Sequence, residues 1–327
     1  MRKSVLLTFA LAGFLFFASC SGSDSGGSSG GSSKVKLTVN NVSDVTQSAF
    51  QTTNAMITGS GAVSEEIGRS GEEKNELVGR NIIAGFGFYI LDFLNESGAL
   101  MSDNEEAYPD GRSRTQLDDL YGTKQGLYGG SATYSLSKQG TSFKLSIVFD
   151  DYTSYPETYL DGTLILTGTF DSASDAPTGK MNISFNGFRI KHANNYDYTL
   201  AGTMAMEGDT SGAVFTANAS VKDQLKGTTS RVENYVLNMM LQSSYMVYTV
   251  AGTFGHSIYG NVTLNTEESF RQQLFAEHPT DGILYVEGGE GTSSRLTIID
   301  SSSYKIEADL NGDGTFEWNS GTLHWTN

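Results

Sequence analysis

The feature that most constrains the fold is an alternation of apolar and polar side chains that recurs from Gly129 to the end of the chain. Because successive side chains of a strand point to opposite faces, such alternation predicts strands that are buried on one face. The runs return roughly every 10–17 residues, with Gly, Asn, Asp and Ser between them, which is typical of antiparallel sheet. The clearest run has apolar residues at Phe143, Leu145, Ile147 and Phe149.

A weak internal repeat indicates how these strands are arranged. Segments beginning at Tyr159, Tyr198 and Tyr248 each run through an aliphatic residue to Gly-Thr. Their uneven spacing argues against a solenoid and favours successive long hairpins in one curved sheet. Elsewhere, the apolar alternation changes phase at Gly187, which predicts a β-bulge there.

The residues before the strands predict helices. Val35, Leu37 and Val39 give a short strand signal, and residues 43–57 then follow helical periodicity behind the candidate caps Ser43 and Asp44. The expected apolar face of this helix consists of Val45, Ala49, Phe50, Thr53, Met56 and Ile57.

A capping-box pattern at Ser70 and Glu73 predicts a second helix over residues 73–96, followed by a polar, acidic loop over 99–128. This helix is expected to be buried against the sheet; a plug in a lipid-binding cavity is the alternative. The predicted fold class is α+β, mainly antiparallel β, with two N-terminal helices packed on a curved sheet or open barrel.

The N-terminus has the pattern of a secretory signal. Arg2 and Lys3 precede an uncharged apolar run over residues 4–19, which is too short to span a bilayer as a retained helix. The run closes on Phe17-Ala18-Ser19-Cys20, which resembles the lipobox of bacterial lipoproteins, although Phe17 stands where that family usually has Leu. The resemblance implies diacylglycerol on the Cys20 thiol, cleavage before Cys20 and acylation of the new amino group.

The cysteine count and the residues after Cys20 agree with an exported, tethered chain. Cys20 is the single cysteine, so the mature chain has neither a disulfide nor a thiolate metal site. Residues 21–33 are almost entirely Gly and Ser, a composition typical of a flexible tether. By resemblance to enterobacterial sorting, Ser21 and Gly22 indicate delivery to the outer membrane.

These boundaries give four parts: a signal peptide (1–19), a lipidated cysteine with its tether (20–33), a helical segment with an acidic loop (34–128), and an antiparallel β domain (129–327). The formal net charge of −16 argues against binding to nucleic acid, because the phosphate backbone repels a polyanion. The lipobox resemblance implies a membrane as the partner, reached through the N-terminal lipid. A protein, glycan or lipid ligand remains an open alternative.

One short motif points to a metal. Residues 309–317 place carboxylate and carbonyl oxygens at alternate positions, which suit Ca²⁺. This stretch resembles the first half of calcium loops in EF-hand and dockerin-like proteins. It departs at the twelfth position, which is Ser320 rather than glutamate. A weak calcium site and a plain hairpin turn are both consistent with the residues, and the turn is the preferred interpretation. The candidate ligands are Asp309, Asn311, Asp313, Thr315 and Glu317.

Other candidate sites point less specifically to a ligand or a reaction. Residues 282–325 resemble the closing hairpins of bacterial surface lipoproteins without implying an activity. Tyr152, Tyr155 and Tyr159 lie in an acidic stretch that could bind a glycan or a protein, or could simply decorate a loop. We find no catalytic motif, and the expected function is a non-enzymatic binding or structural lipoprotein of the bacterial envelope. A carrier of a hydrophobic ligand and an envelope hydrolase are the alternatives.

Overall fold

The protein is described by a computed structural model that contains one helix and fourteen strands in its described part. The described residues are 33–65, 120–170, 177–192, 196–209, 212–242, 244–273, 276 and 278–325. The helix, α1, is Val42–Glu65. The strands are β1 Leu120–Gln125, β2 Gly129–Gln139, β3 Ser142–Tyr155, β4 Thr158–Phe170, β5 Pro177–His192, β6 Tyr196–Asp209, β7 Gly212–Asp223, β8 Thr228–Gln242, β9 Tyr245–His256, β10 Gly260–Gln273, β11 Asp281–Glu287, β12 Ser293–Asp300, β13 Ser303–Asp309 and β14 Trp318–His324.

All fourteen strands belong to one antiparallel sheet. Each strand pairs with the strand that follows it in sequence, and the order runs from β1 at one end to β14 at the other. This confirms the prediction of an antiparallel sheet built from successive hairpins. Every second turn therefore lies at the same rim of the sheet, and the intervening turns lie at the opposite rim.

The apolar and polar positions that alternate in the sequence lie on the buried and the more exposed face of the sheet, respectively. Phe143, Leu145, Ile147 and Phe149 of β3 are all buried, whereas their neighbours are exposed or partly exposed. The same pattern recurs in later strands, and their inward side chains form one hydrophobic cluster. The apolar positions read from the sequence are thus the core positions of the sheet.

Glycines mark the irregular places in the strands. The predicted bulge at Gly187 is confirmed, because the β5–β6 register shifts between Phe185 and Phe188 and Gly187 has φ 57°. In the repeat, Gly252 has φ 141°, and a Cβ atom on it would lie 2.6 Å from the Cα of Tyr235. Only glycine allows the two backbones to approach this closely.

Helix α1 packs against the C-terminal half of the sheet, with contacts to β9, β12 and β13. Val45, Ala49, Phe50 and Thr53 are buried, which confirms the predicted apolar face for these positions. The helix extends beyond the predicted end at residue 57 to Glu65. Met56 and Ile57 belong to the part of the helix whose side chains lie outside the description.

One expectation about the N-terminal part falls outside the described residues, and another differs from the structure. The described part of the chain contains one helix rather than two, and the segment 73–96 expected to form the second lies outside the described residues. Residues 120–125, expected to belong to the loop, form β1 and pair with β2 in antiparallel register. The sequence of this segment alone did not predict a strand.

The prediction of a strand around residues 35–39 is also wrong. Lys34 makes a single bridge with Asn261, Leu37 is buried and Val39 is exposed. The physical reason is the direction of the segment: it crosses the ends of β10 and β11, so its hydrogen bonds go to different strands and form no ladder. In the described residues, no helix is long and apolar enough to cross a membrane.

Candidate functional site

The β13–β14 turn brings the candidate calcium ligands into one loop. Both Asp309 carboxylate oxygens accept backbone N–H groups: Oδ1 accepts from Asn311 at 3.2 Å and Gly312 at 2.7 Å, and Oδ2 accepts from Gly314 at 2.7 Å. Asp309 is only 2% exposed. Its negative charge is therefore compensated by the loop's own backbone dipoles.

The other oxygens of the loop also accept hydrogen bonds from it. Asp313 Oδ1 accepts from the Thr315 N–H at 2.8 Å, and Glu317 Oε1 accepts from the Leu310 N–H at 2.9 Å. Hydrogen bonds from Thr315, and then from Asn311, lower the pKa of the exposed Asp313 carboxyl. These contacts are those of a side-chain-stabilised turn. Within the described ranges, no cluster of three or more His, Cys, Asp or Glu side chains has the arrangement of a metal site.

The three candidate tyrosines lie at the β3–β4 hairpin. Tyr152 is 2% exposed, packs on Phe149 with ring centroids 5.8 Å apart, and accepts a hydrogen bond from the Ser154 hydroxyl at 2.6 Å. Tyr159 is 41% exposed, and the side chain of Tyr155 lies outside the description. Tyr152 thus belongs to the core, and Tyr159 is the member of the set that lies at the surface.

A buried polar cluster on the helix side of the sheet was not foreseen from the sequence. The Tyr235 hydroxyl donates to Thr53 of α1 at 2.8 Å, and burial raises the pKa of Tyr235. Tyr248 stacks on Phe270 with centroids 5.0 Å apart, and burial raises its pKa well above the ordinary value. Among the described residues, the Tyr248 hydroxyl has no hydrogen-bond partner.

Trp325 lies at the centre of the adjoining aromatic stack. Its ring stacks on Tyr304 at 4.0 Å, on His278 at 4.6 Å and on Phe50 at 5.2 Å. Within the described part of the chain, its buried Nε1 atom and the Oε1 atom of Gln272 make no hydrogen bond. Buried polar atoms of this kind are usually satisfied by ordered water or by a ligand. We call Tyr235, Tyr248, Gln272 and Trp325 the inner polar cluster.

The histidine closest to a catalytic arrangement is His256 at the end of β9. Its Nδ1 atom accepts a hydrogen bond from the Ile258 N–H at 3.2 Å, and burial lowers its pKa. The ring stacks on Tyr259 at 4.7 Å, and that tyrosine donates to Asp44 at 3.2 Å. Ser230 is its cross-strand neighbour, but no described hydrogen bond joins the two side chains. The His256 ring is thus held in place by these contacts, and no activated nucleophile is among its described contacts.

Cys20, the candidate lipidation site, lies outside the described residues. The chain gives no match to a protein-family model, a curated protein or a solved structure.

Proposed function

We propose that this protein is a membrane-anchored lipoprotein of the bacterial envelope, with a non-enzymatic binding or structural role. The observation that carries the proposal is the order of features at the N-terminus: Arg2 and Lys3, an uncharged apolar run, small residues and then Cys20. Each feature corresponds to a step of export, cleavage or acylation. We assign the protein to the outer membrane because no acidic residue follows Cys20 at the second position.

The way the chain enters the fold supports this proposal. Val35 donates from its N–H to the Asn261 carbonyl at 2.8 Å and accepts at its own carbonyl from the Gly289 N–H at 2.6 Å. The Lys34 ammonium lies 2.7 Å from the Glu287 carboxylate, and Leu37 is fully buried. The first described residues are thus fixed to the sheet on both sides, so a short chain from an anchor at Cys20 would hold the whole β domain.

The test is to follow lipid on Cys20. Cells that express the chain are given an alkyne-bearing palmitate, and the mature N-terminus is identified by mass spectrometry. We expect a chain that starts at Cys20, carries acyl groups and fractionates with membranes. Cys20→Ser should abolish the label and leave the full precursor.

Ser25→Ala in the tether is the matched control, because it leaves the signal and Cys20 intact and should still be labelled. Normal membrane attachment of the Cys20→Ser chain, or a wild-type chain cut elsewhere and free of lipid, would contradict the proposal.

A second candidate function, carriage of a ligand, is favoured by the inner polar cluster. The Tyr248 hydroxyl and the Trp325 indole N–H are buried there without described hydrogen-bond partners, and the rings of Phe270 and Phe50 connect them. A mainly apolar ligand with one polar end would satisfy such atoms. Organic extraction of the protein purified from its native cells, followed by mass spectrometry, tests this candidate. A Tyr248→Phe variant should retain less of a genuine ligand, whereas a structural water network would give the same empty extract for both proteins.

A further inference from the structure

One rim of the sheet gathers the entry of the chain and several hairpin tips. Since the sheet is an antiparallel meander, the turns at 126–128, 224–227, 257–259 and 288–292 all lie at the rim where the odd-numbered strands end. We call these turns, together with residues 33–41, the entry rim.

Hydrogen bonds tie the entry rim together. The Ser257 N–H of one turn donates to the Thr229 carbonyl at the start of β8, at 3.2 Å. Leu37 donates from its N–H to the Thr292 hydroxyl at 3.0 Å, which places the turn before α1 beside the β11–β12 turn. The start of β8, the turns at 257–259 and 288–292 and the first described residues therefore form one continuous surface.

The tips of the entry rim expose large apolar side chains at positions where turns ordinarily carry polar residues. The exposed fractions are 76% for Leu127, 65% for Ile258, 63% for Val39, 62% for Tyr128 and 55% for Leu225. At the opposite rim, the hairpin tips at 140–141, 244 and 301–302 carry only Gly, Thr and Ser. Among the described turns, exposed large apolar side chains thus occupy the tips of the entry rim, whereas those near the opposite rim, such as Tyr121 and Met240, lie within strands.

Charge does not account for these tips. Lys34 pairs with Glu287, Lys36 with Glu290, and Lys226 with Asp223, so the nearby lysines are neutralised in pairs. A surface of this kind has little attraction for an anionic partner but suits the boundary between headgroups and acyl chains of a neutral bilayer, where tyrosine is also favoured.

The length of chain between Cys20 and Ser33 restricts which rim can reach a membrane. The twelve intervening residues, 21–32, allow the two Cα atoms to lie at most about 45 Å apart when fully extended and roughly 20 Å apart on average. The chain joins the fold at the entry rim, so that rim lies within this distance of the anchor in every orientation.

We propose that the entry rim is a membrane-docking surface and that its exposed apolar side chains enter the interfacial layer of the bilayer to which Cys20 is anchored. This inference rests on the proposed lipidation, and it adds the face of the domain that meets the lipid. The opposite rim then points away from the membrane, toward whatever partner the protein binds.

The test places a fluorophore on single positions of the full lipidated chain. Because acylation consumes the Cys20 thiol, an introduced cysteine is the only reactive one. Ile258→Cys and Leu225→Cys report on the entry rim, and Ile299→Cys, 47% exposed near the opposite rim, is the matched control. Each variant is labelled with an environment-sensitive dye and reconstituted into phosphatidylcholine vesicles with or without nitroxide-bearing lipid.

We expect a blue-shifted emission and about twofold or greater quenching at positions 258 and 225, with neither change at 299, because the interfacial layer extends only about 5–10 Å into the bilayer. Equal signals at 258 and 299 on vesicle-bound protein would overturn the docking surface and leave the anchor intact. Protein that fails to float with the vesicles and takes up dye at Cys20 would overturn both proposals. Quenching at 299 alone would reverse the assigned orientation and refute the inference.

Discussion

Replacement of Asp309 is the sharpest test of what the β13–β14 loop is built to do. Its buried carboxylate accepts three backbone N–H groups, two at Oδ1 and one at Oδ2. Asp309→Asn keeps one acceptor oxygen and replaces the other with an amide N–H₂. That N–H₂ group then faces either the Gly314 N–H or the N–H groups of Asn311 and Gly312. A hydrogen bond to a charged group contributes about 1.5–3 kcal/mol, and a buried unsatisfied donor costs about 1–3 kcal/mol.

Gly314 is itself exposed, so water can partly replace the lost bond, and we expect Asp309→Asn to cost about 1–2 kcal/mol in the free energy of unfolding. Asp309→Ala removes all three bonds and should cost about 2–4 kcal/mol. Asp313→Asn is the matched control, because it makes the same chemical change in the same loop at an exposed carboxyl and should leave the urea midpoint almost unchanged.

The assay is urea unfolding of the mature chain without its lipidated cysteine, followed by tryptophan fluorescence and far-UV circular dichroism. Coincidence of the two transitions is required before midpoints are converted to free energies. The reasoning is refuted if Asp309→Ala unfolds within about 0.5 kcal/mol of the wild type. It is equally refuted if the Asp313 variant is the less stable of the two Asp→Asn proteins.

Three further predictions concern the core, pH and calcium. Phe50→Ala should cost about 3–5 kcal/mol, since the ring is fully buried against Phe270 and Trp325; a loss below about 1 kcal/mol in urea unfolding would show that the helix does not pack as described. Because burial lowers the pKa of folded His256 below its ordinary value of 6.5, the histidine contributes stability above that pH and loses it as the pH falls through the lowered pKa. Midpoints measured from pH 7.5 to 5 should therefore fall less steeply in His256→Gln, and identical slopes would remove this histidine as the cause. If the β13–β14 loop binds calcium weakly, a calcium concentration ten times the dissociation constant should stabilise the wild type by about 1.4 kcal/mol in calorimetry and should not stabilise Asp313→Asn. An unchanged midpoint in the wild type would show that the loop is a turn without a metal site.

The sequence by itself determined the kind of secondary structure and the side of each element that is buried. The alternation through Phe143 and Phe149 predicted the inward face of β3, and the phase change at Gly187 predicted the bulge in β5. The helical spacing of Val45 and Phe50 gave the buried face of α1. These features are local, because the period of the backbone fixes which side chains share a face whatever the rest of the chain does.

Tertiary structure alone decided which of these faces meet. Phe50 and Trp325 lie near opposite ends of the sequence, and the packing of α1 and the path of the chain end bring their rings together at 5.2 Å. The segment around Val35 had the pattern of a strand, yet it crosses the ends of β10 and β11 instead of pairing along one edge. Asp309 matched a metal ligand in pattern, but the folded turn directs three N–H groups at its carboxylate. In the first two cases the periodicity specified a face, while the neighbour of that face was set by backbone bends and by long-range pairing, which no local pattern encodes.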